Sequence, residues 1–111
     1  MRFLRLLMMA FVTSLALVSC SGPSADPVSI ELTVPEGGLG ETIRQDVPLG
    51  APVTMRVTTG FDDEVHVHGY ELHLETVANE TAELTFDATM AGTYEVESHT
   101  TDEVYMLLIV R

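Results

Sequence analysis

Histidine is scarce in this chain and unevenly placed: of four histidines, His66, His68 and His73 fall within eight residues. His66 and His68 are spaced i, i+2, which on a β-strand puts both imidazoles on one face. Their Cβ atoms then stand roughly 6.5–7 Å apart, close enough for both rings to reach one metal ion. Asp62, Asp63 and Glu64 run just ahead of them and supply negative charge where a cation would sit. The plainer reading of the same residues is a half-buried strand with two polar side chains near its mouth.

The elements that must position these rings are strands. From residue 28 the hydrophobic period is two, and it stays two to the end. Val28, Ile30, Leu32 and Val34 alternate with polar residues until Pro35-Glu36-Gly37-Gly38 turns the chain. Ile43, Gln45 and Val47 make a weaker strand, and Val53, Met55, Val57 and Thr59 a stronger one. The histidine stretch is expected to run as one strand to about Val77, with His66, His68, Tyr70, Leu72 and Leu74 on a shared face. His73 then lies opposite, between Glu71 and Glu75, as a solvated residue. Ala82, Leu84 and Phe86 mark the next strand, and Tyr94, Val96 and Ser98 the inward side of another. Val104 to Val110 is apolar on both faces. Seven or eight short strands without a helical period predict an all-β fold, an antiparallel Greek-key β-sandwich over residues 28–111. The expected core is Ile30, Leu32, Val53, Met55, Val57, Leu72, Leu84, Phe86, Tyr94, Val96 and Leu108.

Ahead of the sandwich the chain reads differently. Arg2 and Arg5 lead into an apolar run that is short for a membrane span and suits a secretory signal over residues 1–19. Leu17-Val18-Ser19-Cys20 resembles the lipobox of bacterial lipoproteins, which implies lipidation of Cys20 and anchoring in a bacterial membrane on its extracytoplasmic side, periplasmic or at the cell surface. Residues 20–27, rich in small residues and proline, serve as a tether. Loss of the signal leaves Arg44, Arg56 and Arg111 against seventeen acidic residues, a formal charge of −14. Such a domain is expected to bind no nucleic acid through phosphates and to favour cations or cationic partners. With its one cysteine in the anchor, the domain must fold without a disulfide.

The order of the pieces resembles the cupredoxin fold. Val47-Pro48-Leu49-Gly50-Ala51-Pro52-Val53 looks like the entry to its third strand, and Asp63-Glu64-Val65-His66 is similar to the segment that carries the first histidine ligand. Phe86-Asp87-Ala88 with Gly92-Thr93-Tyr94-Glu95-Val96-Glu97-Ser98 looks like the strand ending at the ligand cysteine. The resemblance is nearest to cupredoxin-like lipoproteins of bacterial envelopes. Carried over residue by residue, it puts His66 on the first histidine, Ser98 where the thiolate should be and Thr101 in place of the second histidine. Met106 falls near the axial methionine, in a strand that reads as core. Blue copper needs a thiolate in a His₂Cys arrangement, so a plastocyanin-like electron carrier is excluded.

The resemblance also brings the loops around residues 62–64 and 99–103 to one end. The expected metal ligands are therefore His66, His68 and His99, with copper(II) or another late transition metal as the cofactor. Asp62, Asp63, Glu64, Asp102 and Glu103 are expected nearby, orienting the rings. The alternative is a metal-free module that docks a protein partner at the envelope through the doubly apolar C-terminal strand. No nucleophile–base pair and no phosphate loop is present, so the chain is not expected to be an enzyme. Cys20→Ala should leave an unprocessed or released protein; full partition of a signal-cleaved variant into detergent would overturn the anchor.

Overall fold

The computed structural model describes residues 25–111; the signal, the lipobox and Cys20 lie outside the described residues. Among the described residues eight strands form: β1 (Val28–Val34), β2 (Ile43–Val47), β3 (Pro52–Thr59), β4 (Asp63–Val67), β5 (Leu72–Thr76), β6 (Thr81–Asp87), β7 (Gly92–Ser98) and β8 (Val104–Val110). They make a β-sandwich of two sheets, ordered β1-β3-β6 and β2-β8-β7-β4-β5. The sheets are mixed: β1 runs parallel to β3 and β2 parallel to β8, while the remaining pairs are antiparallel. Among the described residues no helix is long and apolar enough to cross a membrane.

Alternation sets the core. Ile30, Leu32 and Val34 of β1 and Val53, Met55 and Val57 of β3 face Val65, Val67, Val96, Met106, Leu108 and Val110 of the larger sheet, all buried. Leu72, Leu84, Phe86 and Tyr94, expected in the core, pack against it while remaining partly exposed. They lie on the edge strands β5 and β6 and at the start of β7.

The histidine segment departs from expectation. It is a hairpin: β4 pairs with β5, with Val67 opposite Leu72 and a four-residue turn, His68 to Glu71, between them. Gly69 takes φ +86°, and a Cβ there would collide with the Tyr94 ring, so only glycine fits the turn. Tyr70 packs edge-on to Tyr94 with ring centroids 4.8 Å apart, and its hydroxyl donates to the Met90 carbonyl at 2.9 Å. These contacts anchor the turn. The reversal replaces one long strand by two and changes which side chains share a face.

β8 carries the second irregularity. Val96 pairs with Met106 and Glu97 with Val104, so Tyr105 is an extra residue on β8. Such a bulge re-aims a side chain, and here consecutive Tyr105 and Met106 are both buried. The expected doubly apolar strand is thus partly a bulged strand. Leu108 lies at the centre of the core with no exposure. Leu108→Ala should cost about 2–5 kcal/mol in urea denaturation, and Leu84→Ala clearly less, because Leu84 already meets solvent.

Candidate metal centre

β4 is hydrogen-bonded on both edges, to β5 and to β7. Its odd-numbered side chains, Asp63, Val65 and Val67, enter the sandwich and are buried. Its even-numbered ones, Glu64 and His66, stand on the outer face. His66 is paired with His73 on one side and Glu97 on the other, so these three share that face. His73, expected to be solvated on the opposite side, is instead stacked on His66, with centroids 4.3 Å apart and planes 10° from parallel. The turn reverses its parity. His99 reaches the same place because its N–H donates to the Glu64 carbonyl at 2.9 Å, joining the segment after β7 to β4. Its ring centroid is 4.8 Å from that of His66. His68 stands in the turn, exposed, 5.3 Å from His66 and edge-on to it.

His66 is the centre of the group. It is 6% exposed, although it lies on an outer sheet face, because its neighbours cover it. Among the described residues, its Nδ1 and Nε2 are the only buried side-chain nitrogens or oxygens without a hydrogen-bond partner. Carboxylates stand near both, outside hydrogen-bonding geometry: Glu97 Oε1 is 3.5 Å from Nδ1 and Glu71 Oε2 is 3.4 Å from Nε2.

Glu64 organises the other two rings. One oxygen, Oε1, is 2.9 Å from Nδ1 of His73 and 2.9 Å from Nδ1 of His99. A carboxylate can only accept, so both Nδ1 atoms carry hydrogen and each neutral ring keeps its lone pair on Nε2. The hydrogen bond from His73, followed by that from His99, holds the Glu64 carboxyl below its ordinary range against the opposing effect of desolvation. The Gly69 N–H holds Glu71 low as well, and the His66 ring adds to this.

Among the described residues three groups each bring one ligand atom per member within 4.8 Å of the others: Glu64 with His73 and His99, His66 with Glu71 and His73, and His66 with Glu97 and His99. Of the expected ligands the structure therefore unites His66 and His99, leaves His68 outside every such group, and adds His73. The expected ring of acidic residues is also rearranged. Glu64 faces the histidines, whereas Asp62 caps the Ala78 N–H at 2.9 Å. Glu103 accepts from the N–H groups of Leu39 and Gly40, tying down the loop before β2. Glu71 and Glu97 take the places beside the rings. Glu97 was legible as an outward residue of its strand, but only strand pairing shows what it faces.

The residues that the cupredoxin resemblance aligned with a copper site lie on both faces. Ser98 points inward, opposite Val65, while His66 points outward, so the two cannot share an ion. The inward partner of Ser98 is Asp63. Ser98 Oγ donates to Asp63 Oδ1 at 2.7 Å and accepts the N–H groups of Thr100 and Thr101 at 3.1 and 2.9 Å. Tyr105, turned inward by the bulge, donates to Asp63 Oδ2 at 2.8 Å. Burial pushes the Tyr105 phenol up to about 12, and Asp63 adds to the push. A closed network of oxygen atoms thus occupies the interior where the resemblance places sulfur.

No protein-family model matches the sequence, and no characterised protein matches it in a sequence search. Solved structures do share its shape. A laccase from Botrytis aclada superposes with TM-score 0.64 at 18% identity, over 80% of this chain and 23% of that one. A heme-copper terminal oxidase gives TM-score 0.56 at 19% identity, over 74% of this chain and 60% of that one. An amicyanin variant in its reduced Cu(I) form gives TM-score 0.51 at 23% identity, over 75% of this chain and 82% of that one. The chain thus spans less than two thirds of the oxidase and about a quarter of the laccase. The fold is cupredoxin-like.

The interior network makes its own prediction. Tyr105→Phe strands a buried carboxylate oxygen and should cost about 1–3 kcal/mol in urea denaturation. The phenol's folded pKa exceeds the unfolded value of about 10, so between those values the folded state holds the proton more tightly. Wild-type stability should therefore fall as pH rises from about 10 towards 12, and the phenylalanine variant should lack that component.

Proposed function

We propose that this is an extracytoplasmic lipoprotein, anchored through Cys20, whose cupredoxin-like domain binds copper(II) or another late transition metal on the outer face of its larger sheet. One observation carries the reading: a buried imidazole, His66, with both ring nitrogens unpartnered and two further histidines against it. Burying a polar atom without a partner is costly, and a bound ion removes that cost. The donor set fits the ion. Imidazole and carboxylate suit Cu(II) and Zn(II), and Glu64, gripping His73 and His99 by Nδ1, acts as an outer partner that sets ring orientation and tautomer. The ligands proposed are His66, His73 and His99 with Glu71 and Glu97. His68 stands beside them as a neighbour.

The role that follows is holding or handing over a metal ion at the membrane surface, not electron transfer of the blue-copper kind. A second reading, a metal-free module docking a protein partner through β8, has one feature in its favour. Leu107 and Ile109 are half-buried on the outer face, between Arg44 and Asp46 on β2 and Thr93 and Glu95 on β7. Metal content of protein isolated from its native membrane separates the two readings.

Titration of Cu(II) and Zn(II) into the full chain tests the first. The copper form should be pale, lacking the intense sulfur-to-copper band. Affinity should drop as pH falls, because protons compete with the ion for the imidazole nitrogens. His66→Ala should weaken binding by on the order of 100-fold and Glu64→Gln by about 10-fold or more, whereas His68→Ala should leave it unchanged. Equally weak binding by wild type and all variants would overturn the metal reading.

A further inference from the structure

The two unpartnered nitrogens of His66 do not face the same groups. Nε2 looks towards Glu71, and His66, Glu71 and His73 form one set of converging ligand atoms. Nδ1 looks towards Glu97, and His66, Glu97 and His99 form another. The lone-pair directions of an imidazole diverge across the ring, so no single ion can take both nitrogens. One bound ion would satisfy one and leave the other buried without a partner. The third set, Glu64 with His73 and His99, is already joined by hydrogen bonds through Nδ1, which leaves Nε2 of each of these rings for the flanking positions.

We infer that the cluster holds two divalent late-transition-metal ions, one on each side of the His66 ring, which bridges them. The first lies among His66 Nε2, Glu71 and His73, whose ring must turn out of its stack on His66 for its in-plane lone pair to reach the ion, and the second among His66 Nδ1, Glu97 and His99. The inference rests on the metal-binding reading above and specifies its stoichiometry. A neutral imidazole has one in-plane lone pair, so the second ion must displace the remaining ring N–H proton, which passes to water. The bridge is then imidazolate, joined by one M–N bond to each ion. Charge supports the pair. Imidazolate with Glu64, Glu71 and Glu97 supplies four negative charges against the four positive charges of two divalent ions. Three carboxylates around a single ion would leave a local excess.

Native mass spectrometry of the full chain in detergent micelles, with Cu(II) added stepwise, reads the count directly. Wild type should saturate at two ions. The double variant Glu71→Gln/His73→Ala should hold one, as should Glu97→Gln/His99→Ala; these four side chains are outside the core, so the variants should fold. His66→Ala should lose the pair. Electron paramagnetic resonance supplies a second readout. Imidazolate couples two Cu(II) spins, so the two-ion wild type should show less signal than its copper content, and each one-ion variant its full share. Saturation of wild type at one ion would overturn the pair and leave single-ion binding intact. Two ions retained by His66→Ala would overturn the bridge. No bound ion at all would overturn both this inference and the function on which it rests.

Discussion

Much of this molecule depends on β4 being hydrogen-bonded along both edges. A strand held on two sides cannot slip or twist its side chains away, so strict alternation divides its residues between two surfaces. Asp63, Val65 and Val67 build the interior, and Glu64 and His66 build the outer face. Adjacent residues thus serve separate chemistries. Asp63 gathers two buried hydroxyl groups, while Glu64, one peptide bond away, gathers two imidazoles. The same strand fixes both clusters, and its neighbours supply the remaining members.

The strands themselves were legible because a period of two survives wherever one face is buried. β1, β3 and β7 carry that signal plainly, and their inward residues are those that alternation names. The histidine hairpin was not legible for a local reason. His68-Gly69-Tyr70-Glu71 contains one glycine and no proline, and its outer residues alternate as they would in a continuous strand. What demands a turn there is the Tyr94 ring packed against Gly69, a contact between residues 25 positions apart. Without the turn, alternation puts His73 on the face opposite His66, and their partnership is lost. His99 was legible because the loops at that end of the fold converge.

Tyr105 shows a different obstacle. In a run of seven apolar or aromatic residues nothing marks one as supernumerary, and a bulge is a property of two strands rather than of one. Its consequence is chemical. The displaced phenol reaches Asp63 and completes the network that stands where the cupredoxin resemblance aligns a thiolate. The resemblance aligns Ser98 with that position, and the serine acquires meaning only beside Asp63. The candidate metal ligands belong to the opposite surface, so the likeness of fold does not carry the site with it.

The interior network also stands apart from the outer cluster. Among the described residues every buried side-chain nitrogen and oxygen within the sandwich is already satisfied, and the two that are not belong to His66 on the outer face. The interior polar network is therefore closed without any side chain from the outer face. An ion bound as proposed would arrive and depart over the outside of one sheet without parting the two layers. Traffic at such a site would be governed by which ligands a donor or acceptor can offer, with the fold as a fixed dock.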